Sequence, residues 1–137
     1  MTRNVGLWID HKNAYLVWPG ENRIQVIASN LAPRVRSGAT RIGGLYNQAL
    51  DSELGHHDRY QHQLREYYEN VIEALRTADR IFVMGPGEAK HELERALQKH
   101  KDLRGRLLKL EPADKMTQRQ MAARVRRFFM QELAAQP

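Results

Sequence analysis

Cysteine is missing from all 137 residues. That absence excludes disulfides, thiolate chemistry, iron–sulfur clusters and cysteine-based zinc sites, and it fits the reducing cytoplasm in which the protein is expected. Long apolar runs are missing too. No stretch approaches the roughly 20 residues that a membrane-spanning helix needs, so no membrane role is expected. Met1-Thr2-Arg3-Asn4 leads straight into a strand-like run with Asp10 and His11 behind it, which is not the pattern of a secretory signal. Acid is in short supply: 16 Asp and Glu stand against 22 Lys and Arg, for a net charge of +6. A surface with that bias favours polyanions, and nucleic acid is the commonest of them.

What is present is ordinary for a globular chain. Hydrophobic residues make up 42% and charged residues 28%, and the length suits one domain, 1–137, with a core of its own. Val5 to Asp10 reads as a first strand, and His11-Lys12-Asn13 as a turn. Ala14 to Trp18 resumes the apolar pattern, Pro19 to Asn22 turns again, and Arg23 to Ala28 alternates as a half-buried strand does. Three strands joined by short turns make an antiparallel meander. Residues from about 29 to 55 show no sustained periodicity and carry Arg34, Arg36 and Arg41 among glycines and other turn-formers, so a long basic loop is expected there. From His56 the pattern turns helical, with Tyr60, Leu64, Tyr67, Tyr68, Val71, Ile72 and Leu75 near one face.

The sharpest local signal follows. Ile81-Phe82-Val83-Met84 stops at Gly85-Pro86-Gly87, and Glu88-Ala89-Lys90 opens a helix marked by Leu93 and Leu97. This is a strand, a tight turn and a helix. Its glycines allow a sharp bend or a close backbone approach. Gly85, Gly87 and Lys90 therefore form either an architectural corner or an anion site at the start of the helix. A phosphate loop of the nucleotidase type is excluded, because no longer glycine-rich loop ends in Gly-Lys-Ser/Thr. Arg106 to Leu110 is a further strand, and Thr117-Gln118-Arg119-Gln120 has capping-box spacing for a last helix that turns Met121, Val125, Phe128 and Phe129 inward. The alternation of strand and helix in the second half predicts an α/β fold. It should be a mixed sheet of about five strands, antiparallel and then parallel, with three helices.

The order of elements and the Gly85-Pro86-Gly87-Glu88-Ala89-Lys90 turn together resemble the central domain of archaeal and eukaryotic class-1 peptide-chain release factors and of the ribosome-rescue protein Pelota. Small stand-alone bacterial relatives of that domain are known, and this chain looks like one of them. The resemblance spans essentially the whole chain and implies an RNase H-like, translational-machinery-component architecture. It implies the ribosome or tRNA as partner, with the basic loop as the contact. Release factors carry Gly-Gly-Gln in that loop, and the backbone flexibility of its glycines and the main-chain amide of its glutamine help water attack the peptidyl-tRNA ester. Here the matching place reads Gly43-Gly44-Leu45, and Gln48 comes three residues too late. The resemblance thus implies an RNA-binding loop of Arg34, Arg36, Arg41, Gly43 and Gly44 without hydrolysis. Pelota also lacks the motif and keeps a ribosomal role, so rescue or stress is the setting it implies.

Other constellations point less far. His56, His57, Asp58 and His62 lack a well-spaced third ligand, so no metal site is expected, and no cofactor. Asp10 at a strand end has no convincing carboxylate partners in Asp51 or Asp114 for magnesium-dependent nuclease chemistry. Tyr60, Tyr67 and Tyr68 stand at core spacing rather than as a stacking platform. Lys99, Lys101, Arg104, Arg106 and Lys109 form a second basic cluster, and the arginines of the last helix a third. The alternatives to non-enzymatic RNA binding are a peptidyl-tRNA esterase with an altered tip, and a structural or protein-interaction module whose basic surface is incidental. A homo-oligomer stays open.

Overall fold

The structure, a computed structural model, describes residues 2–31 and 46–135, and their side chains over 2–31 and 58–135. Five strands form one sheet: β1 (Asn4–Ile9), β2 (Asn13–Trp18), β3 (Arg23–Ala28), β4 (Arg80–Gly85) and β5 (Leu107–Pro112). Their order is β3-β2-β1-β4-β5, with β1–β2 and β2–β3 antiparallel and β1–β4 and β4–β5 parallel. The helices are α1 (Tyr46–Leu75), α2 (Ala89–Gln98) and α3 (Gln118–Ala135). The α/β architecture, the mixed sheet and the three helices match the sequence expectation.

Burial explains the strand sequences. β1 and β4 lie at the centre, and both are apolar over nearly their whole length because both of their faces are covered. Val5, Leu7 and Ile9 of β1 join Ile81 and Val83 of β4 against α1 and α2. Trp8, Phe82 and Met84 point to the other face, against Met121, Val125, Phe128 and Phe129 of α3. The alternation along each strand thus sorts the core into two layers, one on each side of the sheet. Gly6 serves the second layer by staying small: a Cβ there would lie 2.4 Å from Val125 Cγ2. Phe82 and Phe128 stack with ring centroids 4.1 Å apart, a contact worth about 0.5–1.5 kcal/mol beyond the area it buries.

α1 begins at Tyr46, not at His56 where the sequence pattern opens it, so residues 46–55 of the expected loop are helical. Tyr46, Leu50 and Leu54 recur every fourth residue, which is a helical period. Gly55 reads as a stop, yet one glycine inside a helix costs only about 1 kcal/mol and a thirty-residue helix absorbs it. Tyr67 and Tyr68 are buried on the face expected of them. α3 starts with the capping box its sequence carries: Gln120 N donates to Thr117 Oγ1 at 3.1 Å, and Thr117 N donates to Gln120 Oε1 at 2.9 Å.

Candidate functional site

The turn after β4 is built from the backbone outward. A Cβ on Gly85 would lie 2.2 Å from the carbonyl oxygen of Ile9, so only glycine lets β4 end this close to β1. Gly87 has φ +61°, a left-handed conformation that glycine adopts without cost. Lys90 is buried, and its ammonium donates to Gly87 O at 2.6 Å, closing the corner over the first turn of α2. In this geometry the charge of Lys90 faces its own turn. Arg34, Arg36, Arg41, Gly43, Gly44 and Leu45 lie outside the described residues.

Beside this corner α1 and α2 run past each other and leave a cleft of about 340 Å³. Gln61, Leu64, Arg65, Tyr68 and Glu69 line it from α1, spaced three and four apart and therefore on one stripe. Glu92, Arg95 and Ala96 line it from α2, with Lys99 just past the helix end. At its inner end Glu92 Oε1 accepts from Tyr68 OH at 2.5 Å and lies 2.9 Å from His11 Nε2, so the first turn of the chain reaches the cleft. Burial pushes the Glu92 carboxyl up, but hydrogen bonds from Tyr68 and His11 and the charges of His11 and Arg95 outweigh it and hold the group below its ordinary value. Burial first, and then the Glu92 carboxylate, drive the Tyr68 hydroxyl far above the usual phenol range. Both groups keep their ordinary neutral-pH forms: Tyr68 donates and Glu92 is ionised. Glu69 is occupied as well, 3.1 Å from His100 Nε2.

Arg65, Arg95 and Lys99, all exposed, make no hydrogen bond or salt bridge among the described residues. Elsewhere both signs of charge are partly bonded: the carboxylates of Glu88, Glu94 and Glu132 hold no partner among the described residues, while Arg3, Arg23, Arg76 and Arg124 do. Asp10, Glu21, Glu73, Asp79, Asp102 and Glu111 each accept a hydrogen bond from within the chain. Lys101, Arg104, Arg119 and Arg127 are exposed and hold no such partner among the described residues. The basic cluster read between Lys99 and Lys109 therefore divides. Arg106 donates to the carbonyls of Arg76 and Ala78 at 3.0 and 2.9 Å, and Lys109 lies 3.5 Å from Glu111. Arg106 is tied into the fold and Lys109 is paired at the surface, while Lys99, Lys101 and Arg104 face outward without such partners among the described residues. Sequence reading passed over Arg65 and Arg95. Their helical spacing against Leu64 and Ala96 was the available signal, but it did not reveal that the two stripes meet.

The remaining candidates have structural partners. Asp10 Oδ1 accepts from the amides of Lys12 and Asn13, both at 2.8 Å, and so closes the β1–β2 turn. His62 is exposed and 3.9 Å from Glu66. Among the described residues no group of three or more His, Asp or Glu could hold a metal ion, and no helix there is long and apolar enough to cross a membrane.

No protein-family model matches the chain, and no curated protein does. Among solved structures, the Thermoplasma acidophilum Pelota protein is similar over 85% of this chain and 30% of its own length, at 18% identity and a TM-score of 0.47. An archaeal translation termination factor is similar over 96% of this chain and 39% of its own, at 14% identity and a TM-score of 0.46. The chain spans about a third of the length of each.

Proposed function

We propose that the chain is a non-enzymatic RNA-interacting domain of the translation-machinery type, acting in the cytoplasm on the ribosome or tRNA, in rescue or stress. The observation that carries this reading is the excess of outward positive charge. Lys and Arg outnumber Asp and Glu, and exposed Arg65, Arg95, Lys99, Lys101, Arg104, Arg119 and Arg127 hold no hydrogen-bond or ion-pair partner among the described residues. That arrangement suits a phosphate backbone, which binds by releasing its counterions to Lys and Arg. Arg34, Arg36 and Arg41, with Gly43 and Gly44 close behind them in sequence, extend the same chemistry to the segment that the release-factor resemblance points to. Leu45 in place of glutamine supports binding without ester hydrolysis.

The test is co-sedimentation with ribosomes across a salt series. Retention at low salt that falls steeply as salt rises is expected, and loss of most of it when Arg34, Arg36 and Arg41 are all made alanine. Retention unchanged in that triple variant would remove the loop from the proposal. Release of peptide from peptidyl-tRNA above background would favour the esterase instead.

A further inference from the structure

The α1–α2 cleft carries a second inference. Its two carboxylates are already occupied, Glu92 by Tyr68 and His11 and Glu69 by His100. Its cations are not: Arg65 from one wall and Arg95 and Lys99 from the other converge on the same space with no bonded partner among the described residues. We infer that this cleft binds a nucleotide-sized phosphate ligand, with the phosphate held by Arg65, Arg95 and Lys99.

Four features select that chemistry. Two guanidinium forks match the paired oxygens of a phosphate, and the Lys99 ammonium adds a point charge, more donors than one carboxylate can use. A cationic ligand is disfavoured, because both acidic groups already accept hydrogen bonds and the unmatched charge is positive. The cleft's size, about 340 Å³, falls at the lower end of the roughly 300–1,000 Å³ of small-molecule sites. Leu64 and Ala96 supply an apolar surface for the body of the ligand. The ligand is either a free mononucleotide or one nucleotide of an RNA strand, which present the same phosphate chemistry. The inference goes beyond RNA binding, since a free nucleotide satisfies it.

Titration of the full chain, followed by backbone amide NMR shifts, tests it with adenosine monophosphate, adenosine and a short oligoadenylate. Shifts at Arg65, Arg95 and Lys99 are expected with the monophosphate or the oligonucleotide, and not with adenosine. The first response identifies a free nucleotide as sufficient, and a response to the oligonucleotide alone identifies an RNA strand. Arg65→Gln with Arg95→Gln should weaken binding by about a hundredfold, at about tenfold for each charged hydrogen bond lost. Both residues are exposed, so the double variant should keep the parent's circular dichroism. Cleft amides that move with neither phosphate ligand overturn the inference. So does adenosine binding as tightly as its monophosphate, or a double variant with undiminished affinity. The two proposals fail separately. If no RNA is retained while the monophosphate still binds the cleft, RNA binding falls and the cleft stands. If RNA is retained through the loop arginines and the cleft amides stay still, the reverse holds.

Discussion

Single atoms decide the corner after β4. Gly85 lies so close to Ile9 O that one added methyl group meets backbone, which cannot move aside as a side chain can. Gly85→Ala should therefore cost about 3 kcal/mol or more of stability. Gly87 has open space around it and only its left-handed backbone to lose, so Gly87→Ala should cost about 1–2 kcal/mol. Urea unfolding of the two variants ranks them, and equal losses would contradict the close approach. Glu111 shows the same dependence on placement. Arg124 donates to both of its oxygens, at 2.9 and 2.6 Å, and that pairing, ahead of the smaller effect of Lys109, holds its carboxyl below the ordinary value of 4.5. A folded value below the unfolded one means that the stabilisation is complete above about pH 4.5 and is lost as pH falls through the lower, folded value. Glu111→Gln should cost about 1 kcal/mol at neutral pH, a figure kept small by partial exposure, and close to nothing in strong acid. Denaturant midpoints of parent and variant across that range check it, and a gap that widens toward low pH would be the wrong sign.

Elements differ in how openly they declare themselves. α3 announces its start through Thr117 and Gln120 and its buried face through Met121, Val125, Phe128 and Phe129. Phe128→Ala removes a ring stacked on Phe82 and should cost about 3–5 kcal/mol in thermal or denaturant unfolding. Thr117→Ala removes one cap bond and should cost about 1 kcal/mol. A Phe128 loss no larger than that of Thr117 would show that α3 is not holding its face of the sheet. α1 was harder to delimit, because Gly55 interrupts a periodicity that starts at Tyr46. A local breaker outweighs period in a short window but not along a helix secured by Leu64, Tyr67, Val71, Ile72 and Leu75 in the core. The cleft stripes were legible on each helix separately. Their pairing was not, since nothing in the spacing of Arg65 says which helix will lie across from it.

At the scale of the molecule, charge is the governing quantity. A net charge of +6 was plain from counting, but counting treats every charge alike. Folding distinguishes them: Glu21, Glu73, Asp102 and Glu111 sit in ion pairs with arginine, while Arg65, Arg95, Lys99, Lys101, Arg104, Arg119 and Arg127 stay exposed without such a partner among the described residues. Ribosome or RNA retention should accordingly fall about linearly in the logarithm of salt concentration, with a slope near the number of phosphates contacted. A binding curve indifferent to salt would mean that the basic surface is incidental. By itself the sequence determined the strands, the turns, the α/β class and the excess of positive charge, because periodicity, glycine and proline chemistry and charge count are local or additive. Only the tertiary structure decided that Lys90 turns inward to Gly87, that Arg106 belongs to the scaffold, and that Arg65, Arg95 and Lys99 share one cleft. Those facts depend on which distant residues become neighbours, and proximity is set by the packing of α1 and α2 on one face of the sheet.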